Sequence, residues 1–395
     1  MINETMYGLG SKRSVIREIF EFGNRRRAEI GADKVFDFSL GNPSVPAPRE
    51  VEEAILDLIK NTDPIALHGY TSAQGDAGVR RAIAEDLNAR YGTSISPDSI
   101  YMTCGAAASL CITLKALNAS ADDEYITFTP FFPEYRVFVE AAGGKLVAVA
   151  SDPTDFQIDL CAFEKAITPR TKAVIVNSPN NPSGVVFTPE KLQAACALLK
   201  QKSQEYGHPI YLISDEPYRE LVYDGKEVPF LVNYYDNTIV CYSFSKSLSL
   251  PGERIGYIAL SDKLEEERRI WAAVCGAGRA LGYVCAPSMM QRVVVKCLGK
   301  TADTSVYKTN RDLLYNALTE YGYTCIYPDG AFYLFVKSPM EDAGEFCLKA
   351  RDYELLLVPA DDFGTPGFVR IAYCVSTEQI QNALPAFKQL MENYK

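Results

Sequence analysis

From residue 124 to residue 260 the chain switches repeatedly between two hydrophobic periods, and no other feature narrows its possible folds as far. Apolar runs at 124–129, 145–150, 172–177, 210–214, 238–242 and 254–260 read as strands, several of them separated by helix-like segments such as 189–206. Such alternation predicts an α/β fold, a mostly parallel sheet with helices on both faces. Ligands of these sheets bind beyond the carboxyl ends of the strands. Thr103, Pro130, Asn177, Ser214 and Ser243 each mark a predicted strand end, so the polar candidates near them come first.

The two ends of the chain have a different character. Residues 14–28 place Val15, Ile16, Ile19 and Phe20 on one helical face, and 48–60 and 77–91 read as further helices. After residue 286, helical segments fill 287–321, strands are expected at 331–336, 355–358 and 367–373, and a terminal helix at 377–394. These patterns predict an N-terminal arm over residues 1–47, a large domain over 48–285 and a smaller α+β domain over 286–395, with the arm joined to the small domain.

Charge and cysteine usage exclude several classes. A net charge of −10, with the 40 Lys and Arg scattered, argues against a nucleic-acid surface; the run Arg25, Arg26, Arg27 reads as a solvated helix face. Two histidines support neither a zinc cluster nor a Ser-His-Asp triad. Eleven cysteines without a Cys-x-x-Cys pair, and residues 1–13 without an apolar stretch, predict free thiols in a reducing cytoplasm. No apolar run reaches membrane-spanning length.

The chemistry centres on the stretch Ser-Phe-Ser-Lys-Ser-Leu-Ser-Leu-Pro-Gly-Glu-Arg-Ile-Gly, residues 243–256. Lys246 sits among small and apolar residues after a predicted strand, so its ammonium should be partly desolvated and its pKa lowered. A lysine in that state attacks carbonyls, and pyridoxal phosphate is the common cofactor held in this way. Ser243 and Arg254 would then hold its phosphate, with backbone N–H groups of Gly105, Ala106 and Ala107 at a helix start and Tyr70 as a further donor. Asp215, ending a strand in Ile-Ser-Asp-Glu-Pro-Tyr, can pair with a protonated pyridine nitrogen; alone, it would read as a turn cap. Asn181, in Asn-Ser-Pro-Asn-Asn-Pro, and Tyr218 can share the phenolic oxygen, and Phe132 can stack on the ring. Arg370, in an apolar strand, needs an anion, which a structural salt bridge or, given the lysine motif, a substrate α-carboxylate would supply. Gly41 can bring its backbone close to a ligand.

Together these residues resemble the class I and II aminotransferases, the aspartate aminotransferase superfamily of fold type I, in consistent order from Gly41 to Arg370. The resemblance implies the fold type I pyridoxal-phosphate-dependent transferase architecture with a seven-stranded sheet. It implies that Lys246 carries the cofactor as a Schiff base and shuttles the proton between Cα and C4′. Asp215 then pairs with the pyridine nitrogen, and Asn181 and Tyr218 contact the phenolic oxygen. Ser243, Arg254 and Gly105 to Ala107 bind phosphate, while Gly41, Asn181 and Arg370 hold the substrate carboxylate. Tyr70 resembles the tyrosine that reaches the neighbouring active site of a homodimer. Phe132 stands where some relatives have tryptophan. The implied reaction moves an amino group from an amino acid to a 2-oxo acid such as 2-oxoglutarate in ping-pong order.

Arg279 lies roughly where one subgroup places an arginine for a distal carboxylate, which leans toward aspartate or another dicarboxylate donor. Its spacing to Pro287 differs from that subgroup's, and by itself Arg279 reads first as a helix-end arginine with a structural partner. A pyridoxal-phosphate carbon–sulfur β-lyase would use the same Lys246, Asp215 and Arg370. A nicotinamide dehydrogenase lacks its Gly-x-Gly-x-x-Gly after a strand, and a cofactor-sensing regulator would need a DNA-binding domain for which no residues remain.

Overall fold

The computed structural model describes residues 2–11 and 15–394. Ser14, the first residue of the expected N-terminal helix, lies outside them; the helix runs over Val15–Ile30.

Strands are numbered in chain order: β1 (Phe36–Asp37), β2 (Ile100–Thr103), β3 (Glu124–Thr129), β4 (Lys145–Ala150), β5 (Thr171–Asn177), β6 (Tyr211–Glu216), β7 (Thr238–Ser243), β8 (Gly256–Leu260), β9 (Thr324–Ile326), β10 (Tyr333–Lys337), β11 (Leu355–Leu356), β12 (Val358–Pro359) and β13 (Phe368–Ala372). Seven of them form one sheet in the order β2-β8-β7-β6-β5-β3-β4. All its pairings are parallel except those of β8, which runs antiparallel to β2 and β7. Residues of β2, β6, β7 and β8 are buried throughout, as a sheet covered on both faces requires.

The covering helices start where the sequence supplies caps. Asp76 accepts from the backbone N–H groups of Gly78 and Val79 at the head of Ala77–Tyr91, and Thr188 with Pro189 opens Pro189–Tyr206. Apolar clusters fill both sides of the sheet: Ile83, Leu87 and Val293 belong to one, Ile112, Tyr125 and Val274 to another, and Phe163, Leu192 and Leu199 to a third.

A four-stranded antiparallel sheet, β12-β13-β10-β9, carries the C-terminal part, packed with the helices Ser305–Tyr321 and Thr377–Glu392 around Leu314, Phe346 and Phe387. The N-terminal segment joins it through β1, which pairs in parallel with β11.

Two expected elements differ. The single strand expected at 355–358 is two, because Leu357 separates β11, which pairs with β1, from β12, which pairs with β13. The strand expected from 254 starts at Gly256, since Arg254 takes a left-handed φ of 51° in the preceding turn. Among the described residues, no helix is long and apolar enough to cross a membrane.

Candidate active site

The carboxyl ends of β5, β6 and β7 lie side by side, with Asn177, Asp215 and Cys241 in register. Above them opens a cavity of about 320 Å³ lined by Lys246, Asp215, Tyr218, Asn181, Phe132 and Arg370, and also by Gly41, Ala106, Ala107, Ser243 and Arg254. Residues from widely separated parts of the chain thus meet in one cavity. Gly105 is not among the lining residues but precedes Ala106 as the N-cap of the helix Ala106–Leu117.

Lys246 lies in the short helix Phe244–Ser247, which Ser243 caps by accepting from Ser245 N–H. Its ammonium donates to the Gly41 carbonyl at 2.6 Å and sits 5.4 Å from the Phe332 ring centre. Burial brings its pKa from 10.5 down to about 8.

Asp215 is 4% exposed, and burial pushes its carboxyl up to about 7, against the hydrogen bond from Tyr135. Its Oδ2 accepts from Tyr135 at 2.5 Å and from the Asn177 amide at 3.5 Å, while Oδ1 is buried with no partner among the described residues. An orphaned carboxylate oxygen at this depth calls for a donor from a ligand.

Arg254 donates to the carbonyls of Pro251 and Cys104 at 2.9 and 3.0 Å. A Cβ at Gly105, whose φ is 91°, would come within 2.7 Å of its guanidinium. The residue must therefore be glycine both for its backbone and for the space beside the arginine. Free N–H groups at the start of Ala106–Leu117, the guanidinium and the Ser243 hydroxyl together offer an anion site.

Arg370 comes from the middle of β13 and is 3% exposed. It donates to Ser39 O at 2.5 Å and to Asn181 Oδ1 at 3.3 Å, yet its Nε is buried without a partner. Since Arg370 occupies Asn181 Oδ1, the amide NH₂ of Asn181 remains available as a donor. The Tyr218 hydroxyl pairs with that of Tyr333 at 2.9 Å.

Two candidates stand apart. Tyr70 is 92% exposed and does not line the cavity of its own chain. Arg279 is an exposed residue in the last turn of Glu267–Ala280 and is likewise not a lining residue.

The sequence reading missed Tyr333, Tyr135 and Ile16. Tyr333 lies under the Arg370 guanidinium at 4.8 Å, and a Cβ at Gly41 would overlap its hydroxyl. Its only signal was its place in a predicted strand. Tyr135 was visible as part of an aromatic cluster, and Ile16 as part of a helical face, but neither pattern pointed to the cavity.

The family model for aminotransferase class I and II matches residues 33–387. The chain belongs to this family. It is therefore an aminotransferase dependent on pyridoxal phosphate, and the α/β architecture with its large, mostly parallel sheet is that of its structural relatives. A crystal structure of an amino transferase from Eubacterium rectale is 56% identical, with a TM-score of 0.98, covering 100% of this chain and 99% of that one. Aspartate aminotransferase of Thermotoga maritima is 31% identical over 368 residues, 91% of this chain and 92% of its own. Aspartate/prephenate aminotransferase of Thermus thermophilus is 31% identical over 364 residues, 89% of each.

The aminotransferase site also fits the cofactor in its own terms, with the unpartnered Asp215 Oδ1, the anion cradle at Gly105 to Ala107 and the desolvated Lys246 in one cavity. One consequence is a pH dependence. Only the neutral amine attacks an aldehyde, so reconstitution of cofactor-free protein should accelerate as pH rises and level off above about 8. The rise of cofactor absorbance after mixing measures it; a midpoint at the ordinary 10.5 would contradict the burial argument.

Proposed function

We propose that this enzyme transfers the α-amino group of aspartate or another dicarboxylic amino acid to a 2-oxo acid, 2-oxoglutarate, in ping-pong order. The observation that carries the reading is one cavity holding Lys246, the unpaired Asp215 Oδ1 and the unpaired Arg370 Nε. Pyridoxal phosphate, when bound, supplies a ring that accepts the electrons released when the substrate's Cα loses its proton.

The residues divide the remaining work. Asp215 holds a proton on the ring nitrogen, while Asn181 and Tyr218 donate to the phenolic oxygen. Tyr218 stays protonated because burial pushes its phenol well above 10. Ser243, Arg254 and the N–H groups of Gly105 to Ala107 bind the phosphate, and Phe132 packs on the ring face. Lys246 Nζ would anchor the cofactor and, once free as an amine, would serve as the base that takes the proton from the substrate's Cα. Arg370 grips the substrate α-carboxylate, helped by Asn181 and the backbone at Gly41.

The active unit in this reading is a cytoplasmic homodimer in which the exposed Tyr70 reaches the phosphate of the neighbouring site. The eleven free cysteines suit a reducing compartment. The small domain comprises residues 1–47 and 286–395, and the large domain residues 48–285. The dicarboxylate preference draws its support from the relatives named as aspartate aminotransferases. Arg279 adds none within its own chain, being outside the cavity.

Single amino acids added to the cofactor-loaded enzyme without any oxo acid test this directly. Aspartate is expected to convert the bound cofactor to its amine form and release one equivalent of oxaloacetate. Conversion by aromatic or aliphatic donors alone would reject the dicarboxylate preference. Accumulation of pyruvate and ammonia from a cysteine-type substrate would replace transamination with the carbon–sulfur lyase reaction.

A further inference from the structure

Tyr135 sits in the first turn of the helix Glu134–Ala142, which follows β3, and is not itself a lining residue of the cavity. Its hydroxyl donates to Asp215 Oδ2 at 2.5 Å, and its side chain is 1% exposed. Its ring packs edge-on against Phe132, with centroids 5.8 Å apart, so the tyrosine is fixed by the ring that lines the site. Asn177 secures the same strand end by donating to the Asp215 carbonyl at 3.0 Å and, more distantly, to Oδ2 at 3.5 Å. With Oδ2 occupied, the remaining oxygen, Oδ1, has no partner within the protein.

We propose that Tyr135 is a positioning residue for Asp215, holding the carboxyl group with Oδ1 free for the cofactor's ring nitrogen and keeping that group in its charged form. The part that names the ring nitrogen rests on the pyridoxal phosphate reading; the effect on the charge of Asp215 does not.

The groups facing Asp215 divide by sign. Burial and the neighbouring Glu216 charge favour the protonated acid, and the Tyr135 hydrogen bond opposes them. Tyr218 and Cys241 add no charge, because burial raises both their pKa values well above the ordinary range. Tyr135 remains a donor for the same reason, its phenol pushed up by burial and by Asp215 itself. Of the two side chains that donate to Oδ2, Tyr135 at 2.5 Å and Asn177 at 3.5 Å, the tyrosine is the close one, and it tips Asp215 toward carboxylate. Without it, the proton shared between Oδ1 and the ring nitrogen moves to the carboxyl group, leaving a neutral ring that accepts electrons less well.

Tyr135→Phe removes the hydroxyl and keeps the ring. In cofactor-free protein, the carboxyl stretch in infrared difference spectra, assigned by its absence in Asp215→Asn, should titrate near 7 in the parent chain. In Tyr135→Phe it should move up by about one pH unit. Replacement of Tyr135 by 3-fluorotyrosine, a stronger donor of nearly the same size, should move it down. In the holoenzyme, the ¹⁵N resonance of a labelled ring nitrogen should shift toward that of neutral pyridine in Tyr135→Phe. A variant that loses activity while the infrared midpoint and the ¹⁵N shift stay put would overturn the proposal and leave Tyr135 a packing residue. Failure of the parent chain to bind the cofactor would instead overturn the family chemistry, and the infrared midpoints would still judge the Tyr135–Asp215 coupling.

Discussion

Lys246→Ala is expected to lose the visible absorbance of the lysine-bound cofactor and to reduce turnover by about 10⁴-fold or more, since one amine serves as covalent anchor and as proton carrier. The fold should survive. Lys246 contributes a single hydrogen bond, to Gly41 O, and its removal takes a desolvated ammonium out of the interior. Unchanged circular dichroism and melting, together with the loss of activity, would separate chemistry from folding. Appreciable turnover in this variant would remove the lysine, and with it the mechanism.

The second large effect concerns Asp215. Asp215→Asn retains an acceptor for Tyr135 and fills the same space, but it carries no charge to hold a proton on the ring nitrogen. Breaking a buried charge pair costs about 3–5 kcal/mol, or about 10²- to 10⁴-fold in rate if the whole loss falls on the proton-abstraction step. The cofactor should still bind, because the phosphate cradle at Arg254, Ser243 and Gly105 to Ala107 is untouched. Deuteration at the substrate's Cα checks the assignment: the kinetic isotope effect on turnover should increase in Asp215→Asn as proton abstraction becomes limiting. Near-normal rates with no change in isotope effect would take Asp215 out of the chemistry.

Much of this site was legible before any coordinates. Lys246, Ser243 and Arg254 lie within twelve residues of one another, so their spacing alone carries meaning. The strands around them announce themselves because both faces are buried, which leaves continuous apolar runs in the sequence. What was not legible depends on contacts between distant residues. Tyr135 meets Asp215 across 80 positions and Tyr333 meets Tyr218 across 115, and neither periodicity nor spacing reports such pairs. The split between β11 and β12 was hidden for a related reason. Four consecutive apolar residues look the same whether one strand or two partners claim them, and here β1 and β13 claim different halves.

Gly41 shows the same division. Its place in a Gly-Asn-Pro turn was plain, but the requirement for glycine comes from Tyr333, whose hydroxyl occupies the position a Cβ would take. That contact brings together the acceptor of the Lys246 ammonium, the partner of Tyr218 and the ring beneath Arg370.

The central claim, that Lys246 is the residue that binds the cofactor, is tested most directly by reducing the cofactor-loaded protein with borohydride and mapping the product by peptide mass spectrometry. The account predicts a single pyridoxyl phosphate adduct on the peptide containing Lys246, and no adduct once an amino donor has converted the cofactor to its amine form. An adduct on a different lysine, or none in protein that turns over, would contradict it.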